Sequence, residues 1–118
     1  MKIAICAENN TLDSEVSRFF ARCNFFLIYD DQSLKSRFIK NEIRLESSNA
    51  GNMISQFLTD LNVEVVLVPL INRNAFESLR KAGIKAYKYQ TTTVHTALYD
   101  YYANNYLLIE KPSTRITE

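Results

Sequence analysis

Along residues 2–7, KIAICA, apolar and β-branched positions alternate with others, which predicts a strand. The polar loop ENNTLD follows, and Asp13 or Ser14 offers a cap for the next element. Val16, Phe19, Phe20 and Cys23 then recur at i, i+3, i+4 and i+7, one face of a short helix. NFFLIYD, residues 24–30, is an apolar run of strand length, and Asp31 to Ser33 read as a turn. KSRFIKNEI, residues 35–43, alternates loosely and is polar, as a hairpin partner near a sheet edge would be.

From Asn49 the period lengthens. Ala50, Met53, Ile54, Phe57, Leu58 and Leu61 define the clearest amphipathic helix of the chain, with Ser48 or Asn49 as its cap. VEVVLVPL, residues 63–70, is almost wholly apolar, the signature of a strand covered on both faces, and Pro69 should end it. Asn74 is read as the cap of another helix, with Phe76 and Leu79 inward and Gly83 just past its end. IKAYKY, residues 84–89, alternates as a strand. Thr92 or Thr93 caps a last helix whose inner face is Val94, Ala97, Leu98, Tyr101 and Tyr102. The polar residues after Pro112 predict a loose tail.

A hairpin followed by alternating helices and strands predicts a mixed sheet with helices on both faces. A ligand of such a fold belongs beyond the carboxyl ends of the strands. Those ends are residues 7–13, the loop at 46–51 and the loop at 69–74.

Composition narrows the chemistry. The 118 residues suit one domain, and 47% hydrophobic content supports a core without disulfides or structural metal. A net charge of +1, with both signs interspersed, argues against a nucleic-acid face or a polybasic membrane patch. No apolar run reaches the roughly 18 residues of a spanning helix, and MKIAIC lacks the form of a secretory signal, so the expected location is cytoplasmic. Two cysteines, Cys6 and Cys23, and one histidine, His95, cannot make a finger-type zinc site. Gly51 and Gly83 alone cannot make a dinucleotide or nucleoside-triphosphate loop.

Several residues admit two readings. Cys23 is a soft metal donor or the end of an apolar face, and Cys6 lies near the carboxyl end of the first strand, buried or facing the site. If both thiols reached one cleft they would give a two-point attachment. Arg22 and Arg73 could fork onto an anionic ligand or simply face solvent. Asn49 and Gly51 sit where a helix start offers free amides. His95 falls outside the inner face of its helix and is read as exposed. Asp30 and Asp31 read as a turn rather than a two-metal nuclease cluster, and the tyrosines at 99, 101, 102 and 106 as helix packing rather than base stacking.

Three segments together resemble the dinitrogenase iron–molybdenum cofactor biosynthesis family, of the NifX and NifB C-terminal type. They are the opening MKIAICAENNTLDSEVSRFFARCNFFLIYD, the central NAGNMISQFLTDLNVEVVLVPLINRNAFESLRKAGIKAYK and the closing TTTVHTALYDYYANNYL. The resemblance covers residues 1–108 as one domain and leaves 109–118 as a tail. It implies a three-layer α/β/α sandwich with a ribonuclease-H-like motif and a five-stranded mixed sheet in order 3-2-1-4-5. It also implies a small accessory protein, not an enzyme, that binds an iron–molybdenum cofactor or iron–sulfur precursor cluster, or another anionic ligand. Its partners would be cofactor-assembly or nitrogenase-type proteins, with neither nucleic acid nor membrane, and with a homo-oligomer left open. The implied binding residues are Cys23, Arg22, Cys6, Asn49, Gly51, Asn72 and Arg73, with Cys23 as metal ligand. RFFAR stands where the family often has a histidine and a glycine, SSNAG where it has a glycine-rich loop, and INRNAF where it has a smaller loop. These replacements favour the alternative, a divergent member acting as a protein-interaction or regulatory module.

Overall fold

A computed structural model describes residues 1–45, 49–88, 92–104 and 106–110. The elements run β1 (Lys2–Ala7), β2 (Phe25–Asp30), β3 (Lys35–Lys40), a 3-10 turn (Glu42–Leu45) and α1 (Ala50–Asp60). They continue as β4 (Val63–Leu67), α2 (Arg73–Lys81), β5 (Lys85–Lys88), α3 (Val94–Tyr102) and β6 (Leu107–Leu108). The sheet order is β3-β2-β1-β4-β5-β6. It contains the expected 3-2-1-4-5 arrangement, extended by the two-residue β6. β2 pairs antiparallel with β1 and β3, β4 runs parallel to β1 and β5, and β6 is antiparallel to β5.

The alternation along β1 divides the core into two layers. Ala4 and Cys6 face one side with Phe26, Ile28 and Val66, under Ile54 and Leu58 of α1 and Ala75 and Leu79 of α2. Ile3, Ile5 and Ala7 face the other with Leu27, Val65 and Leu67, under Val94 and Ala97 of α3. Two helices therefore cover one face and one helix the other, the three-layer arrangement. Among the described residues no helix is long and apolar enough to cross a membrane.

The opening segment departs from expectation. Residues 14–24 form no helix; they contribute the isolated bridges Ala7↔Val16, Glu15↔Thr93 and Phe19↔Leu70. Their backbone groups bond outward: Val16 N–H donates to Thr92 O and Ser17 N–H to Cys6 O, each at 2.7 Å. Val16 joins the core layer under α3, while Phe20 and Cys23 join the layer under α1 and α2. A helix would have put all of them on one side. The chain instead passes the end of the sheet and drops apolar residues into both layers, which imitates helical spacing.

Caps also shift. Asn72, not Asn74, caps α2, its Oδ1 accepting from Ala75 N–H at 2.9 Å. Asn49 holds the cap position of α1 in the left-handed region (φ 60°) and makes no side-chain cap bond; Ser48 lies outside the described residues. Gly83, at φ +77°, closes α2 as expected, with Gly83 N–H bonded to Arg80 O and Ile84 N–H to Leu79 O. Thr93 caps α3. Tyr102, expected inside, is 47% exposed and donates its hydroxyl to Asp31 Oδ2. Of the expected tail, Ile109 and Glu110 are described, and Ile109 N–H donates to Ala86 O at 2.8 Å.

Phe20 has no solvent access and packs edge-on to Phe26. Phe20→Ala should therefore cost about 3–5 kcal/mol in urea denaturation, as for a buried aromatic in regular structure. A loss below about 1 kcal/mol, the range of an ordinary surface change, would show that the segment is not part of the core.

Candidate functional site

α1 and α2 meet at their first turns. Gly51 makes this possible: a Cβ there would stand 2.9 Å from Ala75 Cα and 3.0 Å from Ala75 N. Two helix N-termini thus lie side by side, each with amides aimed outward and a positive dipole end. Beside them opens a cleft of about 560 Å³, and Arg22, Asn49, Gly51 and Asn72 all line it. Four expected site residues from three separate loops are therefore together. Arg73, also expected, is the exposed first residue of α2 and is not in the lining.

The cleft has a chemical polarity. Asn49 Oδ1 accepts from the Asn52 side-chain amide, Asn52 Oδ1 accepts from the Ser78 hydroxyl, and Asn72 Oδ1 is engaged by Ala75 N–H. Three lining asparagine oxygens thus each already accept one bond from the protein, and Asn49 and Asn72 also carry NH₂ donors. Arg22 and Lys81 add positive charge, and Glu77, the one acidic residue among the described lining residues, is paired with Arg80 at 2.8 Å. Donors and cations predominate, which suits an anion.

The other candidates lie elsewhere. Cys6 and Cys23 are 0% and 1% exposed, in the core layer beneath the cleft. Both thiols approach the same acceptor, Phe20 O, at 3.9 and 3.5 Å. They converge behind the floor formed by Ala21 and Arg22 and are not in the cleft lining. His95 is exposed on α3. Asp30 accepts from Gln32 N–H, and Asp31 bonds the Met1 ammonium at 2.7 Å. Those hydrogen bonds hold both carboxyls below the usual carboxylate range. Among the described residues no group of three or more His, Cys, Asp or Glu side chains could hold a metal ion.

Lys81, Ser78 and Asn52 were not anticipated. Asn74, Glu77, Ser78 and Lys81 fall at i, i+3, i+4 and i+7, a polar stripe on α2 facing the cleft. That spacing was the available signal, but a polar stripe ordinarily marks only a solvated face.

A family model described as dinitrogenase iron-molybdenum cofactor matches residues 1–104. An uncharacterized protein of Methanocaldococcus jannaschii is 29% identical over 97 residues, which span 80% of this chain and 79% of that protein. Among solved structures, the apo form of the orange protein from Desulfovibrio gigas aligns with a TM-score of 0.90 at 26% identity, over 96% of each chain. An NMR structure of a candidate NifB protein from Thermotoga aligns at 0.81 with 30% identity, over 99% of this chain and 97% of that one.

Gly51→Ala sets a gain against a loss. Removing a helical glycine gains up to about 1 kcal/mol, but the added Cβ meets Ala75 backbone and should cost about 1–3 kcal/mol. The variant should be less stable in chemical denaturation, with α1 displaced from α2. Equal or higher stability would mean that the close approach is not required.

Proposed function

The chain belongs to the dinitrogenase iron–molybdenum cofactor family, and from that premise we propose that it is an accessory protein that holds an anionic iron-containing cluster as cargo between the first turns of α1 and α2. The observation that carries this reading is the polar cleft, with asparagine amides at two helix starts and Arg22 and Lys81 beside them. Iron–sulfur clusters bear negative charge and present sulfur atoms that accept hydrogen bonds. Amides and guanidinium can hold such a body without a bond to iron.

In this reading Cys6 and Cys23 pack the floor, and the cargo leaves without breaking a metal–thiolate bond. That suits a carrier that receives a cluster from one assembly protein and yields it to another. Its role is to bind and release, with no covalent chemistry on the cargo.

The test is anaerobic. The protein is mixed with iron and sulfide, or with a preassembled four-iron, four-sulfur cluster capped by small thiolates, and desalted. Retained iron and visible absorbance are then measured. The native chain should retain cluster, and Cys23→Ala and Cys6→Ala should retain it too. Arg22→Ala and Lys81→Ala should each bind about tenfold more weakly, the effect of losing one charge-assisted hydrogen bond. Raising salt should weaken binding further. Iron lost in Cys23→Ala but kept in Arg22→Ala would replace this reading with thiolate ligation. No iron retained by the native chain would sink the carrier reading in favour of an interaction module.

A further inference from the structure

Asn41 is 2% exposed and follows the last residue of β3. Its N–H donates to Asn24 O at 2.9 Å, one step beyond the Phe25↔Lys40 pair of the β2–β3 ladder. That bond fixes its backbone to the end of the hairpin. Its side chain then reaches across to the opening segment. Nδ2 donates to Ala21 O at 3.1 Å and to Cys23 O at 2.9 Å, and Oδ1 accepts from Ile43 N–H at 3.1 Å. Nδ2 also stands 3.7 Å from Cys23 Sγ.

The two carbonyls it grips belong to the residues on either side of Arg22. Ala21 and Arg22 both line the cleft. With no helix over residues 14–24, no regular ladder sets the direction in which Arg22 leaves the backbone. One planar amide supplies what the floor requires: two donors on a single nitrogen and an acceptor at the other end. Aspartate has the same outline but would bring a carboxylate oxygen against two carbonyl oxygens, with no hydrogen to share.

We infer that Asn41 is the positioning residue of the cleft: by clamping the carbonyls of Ala21 and Cys23 it fixes where the Arg22 guanidinium meets the anion. The binding consequence rests on the cluster-carrier reading above; the positioning itself does not.

Two measurements on the full chain test it. The first needs no ligand. Backbone ¹⁵N relaxation should give Arg22 an order parameter near the rigid value of about 0.85 in the native protein and below about 0.6 in Asn41→Ala, with β1 and β4 unchanged. An Arg22 amide that stays rigid in the variant overturns the inference, whether or not any cluster binds. The second uses the thiolate-capped four-iron cluster in a double-mutant cycle. Asn41→Ala and Arg22→Ala should each weaken binding about tenfold, and the double variant should be no weaker than Arg22→Ala alone. A merely structural role would multiply the two losses to about a hundredfold, and that result also overturns the inference. If the native chain binds no cluster, the carrier reading fails while the relaxation measurement still judges Asn41. Should Asn41→Ala not fold, Asn41→Ser, whose single hydroxyl hydrogen cannot bond both carbonyls, replaces it in both measurements.

Discussion

Ile3, Ala4, Ile5, Cys6 and Ala7 have no solvent access on either side of β1, and this two-sided burial constrains everything around them. A strand at the centre of a sheet must find a partner on each edge and a layer on each face. β2 and β4 supply the edges; α1 and α2 supply one face and α3 the other. The hairpin strand β2 is antiparallel to β1 and the crossover strand β4 is parallel to it, so the chain direction splits beside β1. The ends of such a split diverge and leave room, and the loops that line the cleft descend from them.

What fills that room is decided by local pairings. Gly51 brings two positive helix ends into contact where any larger residue would part them. Around them Asn52 donates to Asn49 and Asn72 accepts from the start of α2, while the amides of Asn49 and Asn72 add donors to the cleft. The attraction is assembled from dipoles, amides and two side-chain cations, on a chain whose overall charge is only +1. Global charge and local site thus carry different information.

Much of this was legible in the sequence. The helix over Ala50–Asp60 and the strand over Val63–Leu67 were readable because one packing environment governs each along its whole length. The loops holding Asn49, Gly51 and Asn72 could be named because strand ends are where such folds bind, whereas Arg22 was a candidate for its guanidinium chemistry. The opening segment could not be read correctly. Its buried residues at helical spacing answer to two core layers, and only the tertiary bonds to Cys6 and Thr92 show which conformation wins. β6 was missed because two residues carry no period. Asn41 was invisible for a different reason: a buried asparagine has no sequence signature until its partners, some twenty residues earlier, are folded against it.

The two margins of the sheet are unlike. β3 ends one side with Lys35, Ser36, Arg37 and Lys40 exposed, while β6 ends the other after Leu107 and Leu108. Charge discourages a foreign strand from stitching onto the first margin, and brevity gives it little to hold on the second. The sheet is therefore hard to lengthen by accident at either margin. Borders that are poor templates for a foreign strand protect the folded sheet from edge-to-edge aggregation.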